Sequence, residues 1–208
     1  VSGAFLAGLV AGYGVAIPVG AIAILILGLS ARTGFRVGAA AALGVATADG
    51  LYAAVAALGG AAVAGWLAPF GGPLRWVAAG VLLALAGHGA WRALRPAVPA
   101  RAAVGRGGLD SSVRAFTAIL ALTLLNPATV VYFAALILGR GEVGGSGPRA
   151  ALLFVLGAFL ASASWQLVIA GGGTLIGRAL TGARGRRVTA LLSSAIIAAL
   201  AVATLLSG

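Results

Sequence analysis

Six apolar blocks divide the chain, at about residues 3–28, 37–64, 72–94, 114–139, 149–177 and 188–207. Each reaches the roughly 20 residues that a helix needs to cross a hydrocarbon core of about 30 Å. The blocks lack the two-residue alternation and the short segments of a membrane barrel. Helices are then the structure that satisfies the backbone inside a bilayer. The pattern predicts an all-α integral membrane protein with six transmembrane helices. The first block has no basic residues ahead of it and exceeds the apolar core of a cleavable leader, so it reads as the first span.

Composition agrees with this reading. Hydrophobic residues make up 62% of the chain and charged residues 8%, and the mean hydropathy is +1.13. A soluble domain carries about 25% charge, and this chain has too few polar groups to cover a globule. Fourteen arginines against three acids give a net charge of +11. Such an excess can mark nucleic-acid binding, but here the arginines stand between apolar blocks, as orienting charges do. The absence of cysteine removes disulfides, thiol redox chemistry and thiolate metal sites.

The arginines alternate between the two sides of the membrane. Eleven of them follow spans one, three and five: Arg32 and Arg36; Arg92, Arg95, Arg101, Arg106 and Arg114; and Arg178, Arg184, Arg186 and Arg187. Arg75, Arg140 and Arg149 lie on the opposite side. The positive-inside rule places the larger group in the cytoplasm and both termini outside a cytoplasmic membrane that the chain crosses several times. The stretch 95–112, rich in Pro, Gly and Arg, reads as a cytoplasmic linker. It joins an N-terminal three-span repeat (1–94) to a C-terminal one (113–208). Asp110, within the linker, reads as a solvated or capping acid.

Three spans per half require the halves to enter the membrane in opposite senses, which predicts an inverted repeat. Two traces support it. Prolines interrupt the first span of each half, at "AIPVGAI" around Pro18 and "LLNPATV" around Pro127. In the second spans, Gly44, Asp49 and Tyr52 match Gly157, Ser162 and Trp165, with offsets of five and eight residues in both.

A proline within a helix costs about 3 kcal/mol in water, because it removes a backbone hydrogen bond and clashes with the preceding turn. Two at matching depth predict broken helices at spans one and four that line a shared midplane site. A helix restarting after a break presents free N–H groups and a partial positive charge, which suits a carboxylate. The residues expected at this substrate site are Pro18, Val19 and Gly20 at the first break, with Asn126, Pro127, Ala128 and Thr129 at the second. Asn126 can cap the restarting helix, Pro127 suits its first position, and Thr129 offers a hydroxyl.

Asp49 is the one acid inside a span. Its insertion costs about 2.5–3.5 kcal/mol, so it is expected to face the bundle interior. Tyr52 shares its face. The pair reads as a proton-coupling element, or Asp49 as a contact for a substrate's ammonium group. The plainer alternative is an acid hydrogen-bonded to a neighbouring helix for packing. Gln166, Ser162 and Ser164 either line a path or join helices by hydrogen bonds. His88 reads as interfacial, beside Trp91 and Arg92. Trp66, Trp76 and Trp91 read as interfacial anchors. The segment "AGGGTLIG" from Ala170 lacks a P-loop lysine and reads as a packing or bending element. An intramembrane lipid or phosphate enzyme needs several convergent acids, histidines or arginines at depth, and this chain has one acid there. No catalytic residue, metal site or cofactor is expected.

With "AIPVGAIAILIL", "RTGFRVGAAAALGVATADGLYA" and "LTLLNPATVVYFAALIL" in this order, the chain resembles the lysine exporter (LysE/RhtB-type) family of amino-acid efflux proteins over nearly its whole length. The family commonly shows Pro-Gly-Pro at the first break, where this chain has Pro18-Val19-Gly20-Ala21. The resemblance implies export of amino acids or similar small metabolites across the cytoplasmic membrane, driven by the proton gradient. The partners expected are a small-molecule substrate and the bilayer, with no nucleic acid; a homo-oligomer is left open. The alternative within the superfamily is a transporter of another solute, such as a cation.

Overall fold

The computed structural model describes residues 2–67, 71–95, 108–140, 147–172 and 183–206. Among these residues the protein is all-helical. The helices are α1 (Ser2–Ala16), α2 (Ala21–Thr33), α3 (Phe35–Leu67), α4 (Gly71–Leu94), α5 (Ser112–Leu124), α6 (Pro127–Arg140), α7 (Pro148–Gly171) and α8 (Ala183–Leu206). Most of the expected linker, residues 96–107, lies outside the described residues, as does the end of the glycine-rich segment from residue 173 onward. At the linker's far end Asp110 is exposed. The cap of α5 is Ser111, whose hydroxyl accepts from the Arg114 N–H.

Among the described residues, two helices are long and apolar enough to cross a membrane, Phe35–Gly59 and Pro148–Gly171. The pair Ser112–Leu124 and Ala128–Ile137, bent by 59°, makes a third if taken as one span. Shorter apolar stretches among the described residues are Gly3–Ala16, Ile22–Thr33, Trp76–His88 and Arg187–Val202. Residues 17–20 interrupt the first block.

The first block's helical character does not stop at Gly28. α2 runs on to Thr33, carrying Arg32 in its last turn, because one arginine at a span end extends its side chain to the interface without breaking the helix. Gly34 ends α2, with φ 99°, a backbone conformation that side chains disfavour. Gly147 precedes α7 with the same φ of 99°.

The two central helices, α3 and α7, lie antiparallel. A Cβ on Gly50 would meet the Phe159 ring, and one on Gly171 would meet that of Phe35. Each central helix also takes a parallel neighbour from the other half. α1 runs along α7, and α5 runs along α3. Glycines set both approaches. A Cβ on Gly44 would stand 2.6 Å from the Phe116 carbonyl oxygen and 3.1 Å from the Leu120 nitrogen. One on Gly157 would overlap the Phe5 carbonyl oxygen and stand 2.9 Å from the Leu9 nitrogen. Small residues let backbones approach this closely where apolar burial gives no driving force between helices. α4 packs chiefly on α8 and α6.

The buried side chains form two apolar clusters. One holds Ala53, Leu82, Tyr132, Phe133, Phe154 and Ala158. The other holds Val19, Ile26, Val45, Ile119 and Ile169. Along α3, Asp49 falls between Val45 and Ala53. Along α7, Ser162 falls between Ala158 and Ile169. A polar layer therefore separates the two clusters, and α3 and α7 supply it.

Candidate functional site

Asp49 is 2% exposed and Ser162 is fully buried. The Ser162 hydroxyl donates to Asp49 Oδ2 at 2.7 Å. These are the residues that matched by spacing in the second span of each half, and the fold brings them into contact. A buried carboxylate without a partner is costly, and a hydroxyl from the facing helix supplies one hydrogen bond.

Tyr52 lies one turn along α3 from Asp49. Its hydroxyl donates to the Leu124 carbonyl oxygen at 2.5 Å, and its ring stacks on Phe133 with centroids 5.8 Å apart. Leu124 is the last residue of α5, where carbonyl groups lose their intrahelical partners. The Tyr52 hydroxyl thus caps the helix end at the second interruption. At the first, Ser193 of α8 donates to the Gly14 carbonyl oxygen at 2.7 Å, and Tyr132 of α6 donates to that of Ala11 at 2.8 Å. Sequence reasoning missed Ser193 and Tyr132. Hydroxyl groups inside apolar blocks were the available signal, but a bonding partner more than a hundred residues away in the chain leaves no periodic trace.

The two restarting helix ends differ. At the second, the Asn126 side-chain oxygen accepts from the Ala128 N–H at 3.1 Å, and Pro127 is the first residue of α6. At the first, Gly20 is the N-cap of α2 and provides no side-chain hydrogen bond, and nothing lies within 4 Å of a Cβ built on it. Pro18 stands two residues ahead of that cap rather than inside the restarting helix. Of the residues expected at the breaks, Pro18, Gly20 and Ala128 are exposed, Asn126 is half-buried, and Val19 and Thr129 are buried.

Other polar positions are also placed. The Tyr13 hydroxyl and Ser164 Oγ lie 2.9 Å apart, joining α1 to α7. Ser30 donates to the Ala170 carbonyl oxygen at 2.6 Å, joining α2 to α7. The Trp165 indole nitrogen and the Gln166 side-chain oxygen are buried and have no hydrogen-bond partner among the described residues. His88 and Trp91 are exposed neighbours with ring centroids 5.9 Å apart, and the Arg95 guanidinium lies 3.6 Å from the Trp91 ring centre. Trp76 is 70% exposed; the Trp66 side chain lies outside those described. No group of three or more His, Cys, Asp or Glu able to hold a metal occurs among the described residues.

The quoted motifs raise a family resemblance that the geometry around Asp49 does not by itself settle. Comparison with protein families decides the matter, because a family model for LysE type translocators matches residues 14–208. The chain belongs to the LysE type translocator family. No curated protein and no solved structure matched the chain. Membership in the LysE type translocator family, together with the apolar helices, makes this a membrane transport protein for amino acids or similar solutes. The family is one of transporters rather than enzymes.

Proposed function

We propose that this LysE type translocator exports amino acids across the cytoplasmic membrane by proton antiport. In this reading a midplane site lies between interrupted helices contributed by two inverted three-helix repeats. The Asp49–Ser162 hydrogen bond carries the proposal. It is a buried acid, bonded across the two halves, at a polar layer between the two apolar clusters. An acid in that position can take up a proton from one side and release it to the other as the halves rock.

The inverted repeat draws support from matched backbone features. The pairs Gly34 and Gly147, Gly44 and Gly157, and Asp49 and Ser162 are spaced by the same interval along the chain. The first pair shares a φ of 99°. The second shares its kind of close contact, with a phenylalanine carbonyl and a leucine nitrogen four residues on. The parallel packing of α1 on α7 and of α5 on α3 exchanges the same roles between halves. In this scheme α4 and α8, each of 24 residues, measure about 36 Å at 1.5 Å per residue and are long enough to serve as third and sixth spans.

The uncapped start of α2 at Gly20 is assigned to the substrate carboxylate. The α6 start, where Asn126 already occupies the Ala128 N–H, is assigned to orienting it, with Pro18, Val19, Pro127 and Thr129 completing the surround. The test uses the purified chain in proteoliposomes loaded with a panel of amino acids, with efflux followed under an imposed pH gradient. Efflux of at least one amino acid, accelerated by the gradient, is expected. The Asp49→Asn variant keeps a side-chain oxygen for Ser162 and should insert normally, yet lose acceleration by the gradient. Gradient-driven efflux by that variant at the parent rate would remove Asp49 from the coupling role.

A further inference from the structure

Trp165 and Gln166 stand apart from the other buried polar groups. The hydroxyls of Ser30, Tyr132, Ser162 and Ser193 all donate to named acceptors. The Trp165 Nε1–H and the Gln166 Oε1 are buried with none among the described residues, although Gln166 is only 5% exposed. A buried polar atom left unpaired costs about 1–3 kcal/mol, so nearly all such atoms in folded proteins have a partner. Two on adjacent residues, one a donor and one an acceptor, call for a ligand that brings both kinds of group.

Their place on the helix narrows the ligand. Ser162, Trp165 and Gln166 are spaced i, i+3 and i+4 on α7 and so share one face, and Ser162 on that face holds Asp49. The Trp165 ring packs on the apolar cluster that contains Val19, Val45 and Ile119. The unpaired residues thus lie one turn along α7 from Ser162, the residue that holds the buried acid.

We infer that Trp165 and Gln166 bind the transported solute, the indole N–H donating to its carboxylate and the Gln166 amide oxygen accepting from its ammonium group. This inference rests on the amino-acid exporter reading above. It adds two residues that determine specificity for a zwitterion. A water molecule would also complement the pair, and the test separates water from solute.

The full chain and the variants Trp165→Phe and Gln166→Leu are reconstituted in proteoliposomes. Counterflow is measured with radiolabelled L-leucine, L-threonine, L-lysine and L-arginine, and each amino acid is competed with the amine that lacks its carboxylate. Trp165→Phe is expected to raise the half-saturating amino-acid concentration about tenfold, as loss of one hydrogen bond to a charged group implies. It should leave inhibition by the matching amine unchanged. Gln166→Leu is expected to weaken amino acid and amine alike. Both variants should insert. Gln166→Leu should melt at the parent temperature or above, because it removes a polar atom that has no partner among the described residues. Trp165→Phe also loses ring packing, so melting is read on Gln166→Leu alone. A lowered melting temperature of Gln166→Leu, or failed insertion of either variant, overturns the inference, since the atoms would then be bonded within the protein. So does transport by the parent with half-saturation unchanged in both variants, the result expected if the pair binds only water. If the parent carries none of the four amino acids, the exporter reading falls and this inference with it.

Discussion

A single hydroxyl at Tyr52 joins two features that the sequence shows separately, the acid-bearing face of α3 and the interruption after α5. The Tyr52→Phe variant isolates it, because the ring and its stacking on Phe133 remain. The Leu124 carbonyl, at a helix end, would then lose its partner, at a cost of about 1–3 kcal/mol. We expect a lower melting temperature in detergent and, because the second interruption is loosened, slower efflux. With the hydroxyl bonded to Leu124, we expect the pH response to be retained, which would leave the coupling to Asp49 without Tyr52. A retained pH response distinguishes this variant from Asp49→Asn, whose expected loss is the coupling itself. Asp49 was legible in the sequence because an acid within an apolar block has few reasons to be there. Ser162 was legible as its matched position and as a hydroxyl that lines a path or joins helices, and the bond between them required the fold. Trp165 was legible as the match of Tyr52 and Gln166 as a residue that lines a path or joins helices; only the surroundings show that their polar atoms lack partners among the described residues.

At the scale of the helices, the glycines at parallel contacts set how closely the halves approach. Gly157→Ala places a methyl group against the Phe5 backbone, and Gly44→Ala places one 2.6 Å from the Phe116 carbonyl oxygen. Neither obstacle is a flexible side chain that can swing away, so a helix must shift. Overpacking of this kind costs about 1–3 kcal/mol, and both variants should melt at lower temperature than the parent. Gly59→Ala, with nothing within 4 Å of the added carbon, serves as the control and should melt as the parent does. The interruption at Pro18 was legible, since a proline cannot continue the ladder of backbone bonds. The restart at Ala21 and the extension to Thr33 were not, because they depend on Gly20 as a cap and on the positive φ of Gly34. Hydropathy registers Arg32 as the end of a block, whereas the backbone continues through it.

For the whole molecule, the decisive contact is that of α3 with α7, since it joins the halves at the layer that holds Asp49. If the halves rock during transport, locking this contact should stop the cycle. Gly50 provides the position: a Cβ built there lies 3.5 Å from the Phe159 Cβ, within the range of about 3.5–4.5 Å that a disulfide spans. The chain has no cysteine of its own, so the double variant Gly50→Cys, Phe159→Cys contains the only thiols. Oxidation is expected to protect both from alkylation, as read by mass spectrometry, and to abolish efflux in proteoliposomes. Dithiothreitol should restore both alkylation and efflux. Each single-cysteine variant, treated identically, should remain active. A cross-linked protein that still exports at the reduced rate would place the moving interface elsewhere, with the α1–α7 and α3–α5 contacts as the next to lock. The six apolar blocks implied a bundle with two related halves. Which helices form the joint was not legible, because α3 and α7 are apolar around most of their circumference and hydropathy gives them no preferred face. Small residues and one polar pair choose the face, and those act only when the two helices meet.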